Sequence, residues 1–205
     1  MKKNNLKEIC IIGSGGHATS CVDLIESTNK FKIVGIISLE NNKNKEKKFL
    51  KKYQIISVNK DYQKIFKVCK NLVIGIGFYK DLSLRDKMFK DLKKIGFRLP
   101  IICSPKSHVS IGAKIDEGTQ IFHGVTINRN VIIGKNCIIN SHALIEHDVL
   151  IEHNSQVSTG VIINGGCIVK ESSFIGSGSV LRENIVIKKK SFIKMGSIIK
   201  KWKWI

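Results

Sequence analysis

The sequence predicts two domains: an α/β domain built on a parallel sheet over residues 1–105, and an all-β parallel β-helix of hexapeptide repeats over 106–205. Two observations carry this. Every sixth residue from Val109 to Ile199 is aliphatic, sixteen positions in a row. A helix repeats at 3.6 residues and a strand at 2, so neither alone explains a period of six. Ahead of the repeats, short apolar runs alternate with helical stretches, and the first run enters a glycine-rich loop, Gly13-Ser14-Gly15-Gly16-His17. That alternation implies a parallel sheet with helices on its faces.

The first domain reads in order. Residues 9–12 form a buried strand, the glycine loop follows, and 18–27 make a helix with Val22, Leu24 and Ile25 inward. Residues 31–37 are a second strand and the polar stretch 41–52 a surface loop or frayed helix. A helix over 61–69, a strand over 72–77, an amphipathic helix over 82–95 and a short strand over 97–101 complete it. Ser104-Pro105 marks the passage into the repeats.

The hexads have their own grammar. The fourth residue after each aliphatic is small or medium, as in Thr119, Val131, Cys137, Ala143, Ser155, Cys167 and Ser179. The residue just after the aliphatic is often a turn former, as in Gly134, Asn140, Asn164 and Gly176. One large aliphatic per face fills the axis, a small residue fits near the corner, and eighteen residues close one coil. Sixteen hexads therefore make about five coils, stacked roughly 4.8 Å apart.

Composition narrows the function. The formal net charge of +19 comes from 31 lysines against 4 arginines. Nucleic-acid readers favour Arg for bidentate contacts, so the charge is read as compositional bias and no nucleic-acid partner is expected. A basic surface still attracts anionic ligands such as nucleotides. The six cysteines show no paired spacing, and Cys137 and Cys167 fall at interior positions of the hexads as reduced thiols. The polar N-terminus and the absence of a long apolar run predict a cytoplasmic protein without membrane insertion.

A strand that runs through glycines into a helix start presents backbone N–H groups to a phosphate. Gly13, Gly15 and Ala18 satisfy a relaxed dinucleotide fingerprint, but the acidic residue expected after the second strand is represented only by Glu40, rather late. Three readings stand side by side: a site for the nucleotide part of a sugar nucleotide, a dinucleotide site, and a tight turn with no ligand.

Four segments together point to a family. They are Ile11-Ile12-Gly13-Ser14-Gly15-Gly16-His17-Ala18, the run 72–77 (LVIGIG), Cys103-Ser104-Pro105, and residues 138–148 (IINSHALIEHD) in register with the hexads. This combination resembles the bacterial sugar acetyltransferases that join a small Rossmann-like domain to a left-handed β-helix. That family includes sialic acid O-acetyltransferases and N-acetyltransferases of UDP- or GDP-linked 4-amino sugars. The resemblance implies a homotrimer with acetyl-CoA as co-substrate, lying between neighbouring β-helices, and no metal. It implies that His147 is the general base and Asp148 the acid that orients it, since an imidazole titrates near neutral pH.

For the sugar nucleotide the resemblance implies Gly13, Ser14, Gly15, Gly16, His17, Ser38, Glu40 and Gly77; for CoA it implies the positions of Gln156 and Gly165, while Lys188 and Lys190 are expected to meet CoA phosphates as point charges in place of the family's usual C-terminal segment. The chain departs from the family at Ser38-Leu39-Glu40, where an Asp pair is common. It departs again at Gln156, where many relatives carry a second histidine, and at Lys201-Trp202-Lys203-Trp204-Ile205, where Trp202 and Trp204 can cap the open solenoid. The expected activity is N-acetylation of a nucleotide-linked 4-amino sugar in surface-glycan biosynthesis, with sialic acid O-acetylation as the alternative. Two other classes remain: a γ-carbonic-anhydrase-like zinc enzyme using His123, His142 and His147, and a non-catalytic scaffold. His108 and His153 are read as surface residues.

Overall fold

The computed structural model describes residues 6–38, 52–57, 61–77 and 82–200. Leu39, Glu40, residues 41–51 of the polar stretch and the terminal 201–205, with Trp202 and Trp204, lie outside the described residues. The chain divides into two compact units, Met1–Gly77 with Lys87–Pro100, and Phe78–Asp86 with Ile101–Ile205.

The first unit is built on strands β1 (Lys7–Ile12), β2 (Phe31–Ile37), β3 (Ile55–Ser57) and β4 (Leu72–Ile74). They pair in the order β3-β2-β1-β4, all parallel. Ile9, Cys10, Ile11 and Ile12 are fully buried, as a continuous apolar run must be in a central strand covered on both faces. Helix α1 (Gly16–Thr28) buries Ala18, Cys21, Val22 and Ile25, the i, i+3, i+4, i+7 stripe of a surface helix. It stops at Asn29, which takes a left-handed φ of 52° and donates its N–H to the Glu26 carbonyl. Helix α2 (Tyr62–Val68) is capped by Asp61, whose carboxylate accepts from the Lys64 N–H. The later residues of α3 (Ser83–Ile95), Met88, Phe89 and Leu92, join Cys10, Ile12, Leu72 and Ile74 in one core.

Two expectations for this unit are corrected. Residues 97–101 do not form a strand: Arg98 makes a single bridge to Asn71, while Phe97 and Leu99 turn inward. The apolar residues there serve the core, with Phe97 edge-on to Phe66 at 5.0 Å. Strand β3 was not expected, because three residues give no period to read. Strand β4 also ends at Ile74, short of the 72–77 run.

The second unit is a triangular solenoid. Its strands are two residues long, and from His108–Val109 to Ile198–Ile199 each aliphatic anchor is the second residue of its strand. Strands lie in three parallel sheets of six, six and five strands, and every pairing is offset by eighteen residues, as in Ile138 with Gln156 and Leu144 with Ile162. Here face 1 contains Ile138–Ile139, face 2 Leu144–Ile145 and face 3 Leu150–Ile151. Face 1 begins one hexad early, at Ile102–Cys103.

Anchors and fourth residues are together the interior: Ile145, Val149, Ile151, Val157, Val161 and Ile163 are at most 1 % exposed. Interior hydroxyls are satisfied within the coil stack, Thr119 donating to the Gly134 carbonyl and Ser173 to that of Lys188, both at 2.8 Å.

The turns sit elsewhere than expected. From Gly118 to Gly196 the third residue after each anchor has φ between 57° and 75°, fourteen in succession. Gly, Asn and Asp tolerate this region, which explains their frequency there. Gly134 and Gly176, just after their anchors, are small for another reason. A Cβ on Gly134 would meet the His153 backbone nitrogen of the next coil at 2.7 Å, and one on Gly176 the Met195 nitrogen at 2.5 Å.

Truncating an interior anchor leaves a void that the rigid coil stack cannot close. Ile163→Ala is expected to lower unfolding stability by about 3 kcal/mol, read by denaturant titration.

Candidate active site

The glycine loop joins β1 to α1. Gly13 has φ 110° and donates its N–H to the Ile37 carbonyl at the end of β2. On its other side a Cβ would lie 2.8 Å from the Gly75 carbonyl oxygen. Gly75 itself leaves no room, since its Cβ would meet the Ala18 side chain at 3.0 Å. The two glycines let β1, β4 and α1 approach closely, and Gly75 is a contributor that sequence reasoning missed. Ser14 and Ser38 hydroxyls lie 3.2 Å apart, with Ser38 buried. The His17 ring packs on Gly77, where a Cβ would sit 3.3 Å from the imidazole.

Seven of the expected substrate residues, Gly13, Ser14, Gly15, Gly16, His17, Ser38 and Gly77, therefore gather past the carboxyl ends of β1, β2 and β4. Glu40 lies outside the described residues. Gly15 caps α1 without any side-chain hydrogen bond, and the first turn carries no acidic residue. The first-turn N–H groups thus have no side-chain acceptor from the cap or from the turn itself.

In the second unit, His147 and Asp148 form the turn between faces 2 and 3. They are the second and third residues after the anchor Ile145, so Asp148 holds the left-handed position at φ 61°. Its carboxylate folds back to His147, with Oδ2 2.7 Å from Nδ1. The imidazole beside Asp148, and next the Asn130 amide, hold this carboxyl below the usual carboxylate range. Ionised, it only accepts, so His147 Nδ1–H is the donor in this hydrogen bond.

The column at this corner runs at eighteen-residue intervals. Asn130 Nδ2 donates to Asp148 Oδ1 at 3.0 Å from the coil before, and Asn128 Nδ2 donates to Glu146 Oε2 at 2.8 Å. In the coil after, Gly165 lies against the imidazole: a Cβ there would stand 2.7 Å from Cε1 and 2.9 Å from Nε2. Stacking the sequence in threes of hexads would have revealed both Asn130 and the position of Gly165.

Of the four residues expected at CoA, only Gly165 shares this corner. Gln156 lies on face 1, buried to 8 % exposure in the strand Gln156–Val157. Lys188 and Lys190 are exposed at the turn between faces 3 and 1. The other histidines also separate. His142 is at the turn between faces 1 and 2, His123 at the same turn one coil before with Nδ1 2.7 Å from the Ser104 hydroxyl, and His153 pairs with Glu171 at 2.8 Å. Within one chain His123, His142 and His147 therefore do not converge on one corner. A shallow cleft of about 290 Å³ on face 3 is lined by Ile132, Leu150, Lys135 and His153 but not by His147.

Two family models match the sequence. The PglD N-terminal domain matches residues 8–92, and the bacterial transferase hexapeptide (six repeats) matches residues 112–147. No curated protein matches. Among solved structures, a histidine-to-asparagine mutant of perosamine N-acetyltransferase from Caulobacter crescentus, in complex with CoA and GDP-perosamine, is similar with a TM-score of 0.85 at 22% identity, over 95% of this chain and 89% of that one. The acetyltransferase domain of PglB from Neisseria gonorrhoeae FA1090 gives 0.79 at 19% identity, over 95% and 91%. WeeI from Acinetobacter baumannii AYE gives 0.79 at 20% identity, over 95% and 92%. The fold class is accordingly an α/β domain followed by a left-handed parallel β-helix. Among the described residues no helix is long and apolar enough to cross a membrane.

The depressed Asp148 carboxyl has a pH signature. The pairing is complete above the ordinary carboxylate range and is lost as pH falls through the lowered value. In a carboxyl carbon NMR titration, the Asp148 midpoint is expected below that of an unpaired aspartate and should rise toward it in His147→Gln.

Proposed function

We propose that this chain, which joins a PglD-type N-terminal domain to bacterial-transferase hexapeptide repeats, is an acetyl-CoA-dependent sugar acetyltransferase. Its acceptor is a nucleotide-linked 4-amino sugar of surface-glycan biosynthesis, and His147 is its general base. The observation that carries the reading is the His147–Asp148 pair, with Nδ1 held by an ionised carboxylate and Nε2 left as the acceptor. In this reading the acceptor amine attacks the thioester carbonyl while His147 Nε2 takes the proton it sheds. The tetrahedral adduct expels CoA, and the imidazolium returns the same proton to the departing sulfur. The thioester is already activated, so no acyl-enzyme is required.

The glycine loop supports a nucleotide-linked acceptor over a free sugar. Ser14, Gly15 and Gly16 offer backbone donors at a helix start, Gly13 lets the strands approach closely beside them, and Ser14 and Ser38 add hydroxyls. His17 and Gly77 border the same opening. Sialic acid O-acetylation is the alternative, since the same base can take a hydroxyl proton. The solved structures that bind CoA or GDP-perosamine lend their ligands to this chain only as part of the proposal.

A homotrimer fits the outer surface of the solenoid. Leu144, Ile162 and Val180 point outward on face 2, and Ile132, Leu150 and Ile168 on face 3. These aliphatic stripes flank the His147 corner on both sides, where another copy would cover them and wall the site. Gln156, Lys188 and Lys190 remain the proposed CoA contacts, reached across a subunit boundary rather than around one coil. A compartment in the cytoplasm, where acetyl-CoA and sugar nucleotides are made, belongs to the same proposal.

The test is thiol release from acetyl-CoA with UDP-, GDP- and dTDP-linked 4-amino sugars and with free and CMP-linked sialic acid. Turnover is expected with one amino-sugar nucleotide and should drop by at least about 10²-fold in His147→Ala. Turnover with sialic acid alone would move the assignment to the O-acetyl branch; no thiol release with any acceptor would overturn it. Gly165→Ala is expected to cost about tenfold or more in kcat, because its methyl displaces the imidazole, while the melting temperature changes little. Sedimentation should give a trimer.

A further inference from the structure

Asn130 sits one coil before Asp148, in the same left-handed turn position, with φ 61° in both. Its amide donates to the carboxylate oxygen that His147 does not use. The assignment of donor is fixed by chemistry, because an ionised carboxylate has nothing to donate. Asp148 is therefore held at both oxygens, by His147 from the preceding position of its own turn and by Asn130 from the coil before.

We propose that Asn130 is a positioning residue for the His147 base, acting through Asp148. The inference rests on the acetyltransferase reading for its kinetic consequence, but not for its geometry. An aspartate χ2 torsion is broad and nearly two-fold, so a carboxylate bound at one oxygen can rotate away from its partner. Binding the second oxygen fixes the plane of the group. That plane aims Oδ2 at Nδ1 and selects the tautomer that leaves Nε2 unprotonated. The logic is that of outer partners that orient histidines at metal and catalytic sites.

Stacked asparagines also occur at another corner, where they need no such explanation. Asn136 donates to Asn154 and Asn154 to Ser172 and to the Leu82 carbonyl, and both asparagines are at most 2 % exposed. They satisfy buried polar groups. Asn130 is exposed, and its one side-chain hydrogen bond among the described residues goes to Asp148. Burial gives it no structural reason to hold that carboxylate. Asn184 is the matched control: it occupies the same turn position at the same corner, three coils along, at φ 58°.

The experiment compares the full-length chain with Asn130→Gly, Asn184→Gly and Asp148→Asn, using protein labelled with ¹⁵N at histidine rings. Glycine keeps the left-handed turn, so the backbone is preserved and only the amide is lost. The His147 ring signals are assigned by their disappearance in His147→Gln. In the wild type, the neutral ring is expected as the Nδ1–H tautomer. Asn130→Gly should shift it toward a mixture with Nε2–H, Asp148→Asn should shift it further, and Asn184→Gly should leave it unchanged. With the acceptor found by the thiol-release panel, Asn130→Gly should lower kcat about tenfold, with KM for acetyl-CoA and acceptor within about twofold and an unchanged melting temperature. A ring spectrum in Asn130→Gly that superimposes on the wild type would overturn the inference. So would an equal shift in Asn184→Gly. Failure of every acceptor would remove the acetyltransferase reading while the tautomer ratio still decided the role of Asn130.

Discussion

The hydrogen bonds between successive coils, which hold the strands paired at an offset of eighteen residues, are the constraint on which the solenoid depends. Leu144 N–H donates to the Val161 carbonyl, Ile138 to that of Ser155 and Ile132 to that of Val149, and the turns join the same ladder through Asp148 N–H to the Arg129 carbonyl. Strands only two residues long have no stability as isolated pairs. They persist because the ladder fixes every coil on its neighbours and because the anchors fill the axis from three sides. Once the offset is fixed, residues eighteen apart stand in one column. The chemistry of a corner is then a vertical arrangement as much as a local one: Asn130, Asp148 and Gly165 come together although no two are close in sequence.

The same constraint shapes the His147–Asp148 pair. The third residue after an anchor must accept a left-handed backbone, and aspartate is among the few charged residues that do so at little cost. With Asp148 bent into that region, its side chain reaches the ring of the residue before it. The second residue of the turn carries no such backbone demand and is exposed, so it is free to hold a histidine. Gly165 completes the arrangement from below by having no side chain at all. A methyl there would occupy space within 3 Å of Cε1 and Nε2. Its contribution is room for the ring, which is distinct from the contact with CoA that the resemblance implied.

Much of this was legible in the sequence, for a physical reason. The sixteen aliphatics are all second residues of strands because burial on the axis tolerates nothing polar, so the pattern survives without a gap. The β1–glycine loop–α1 unit was legible too, since a buried strand, Gly13 at positive φ and the stripe Ala18, Cys21, Val22 and Ile25 are each local signals. The turn position was misplaced by two residues because Gly134 and Gly176 are conspicuous for close approach of the next coil rather than for their own torsions. Residues 97–101 looked like a strand because Phe97 and Leu99 alternate, but they are buried by packing and not by pairing. The relation of Asn130 to Asp148 was within reach of the eighteen-residue coil, but the hexads show themselves through their interior aliphatics, and an exposed polar pair eighteen residues apart gives no such signal. The resemblance to a family supplied His147 and Asp148, and the column had to be read from the coordinates.

Gln156 illustrates what a single coil can and cannot do. It follows His147 by nine residues, half a coil, and is carried to face 1, while His147 stands between faces 2 and 3. Nine residues along a triangular path of eighteen place two side chains on opposite sides of the axis, so no side-chain rotation brings them together within one chain. A contact of both residues with one ligand requires a second solenoid whose face 1 meets the His147 corner of the first. The apolar outer stripes on faces 2 and 3 are suited to such packing, because Leu144, Ile162, Leu150 and Ile168 are aliphatic at positions that an isolated solenoid would leave to water. An assembly of copies around a shared axis would then do for the site what the coil ladder does for the interior. It would bring residues far apart in sequence to one place by a fixed repeat, here of subunits instead of hexads.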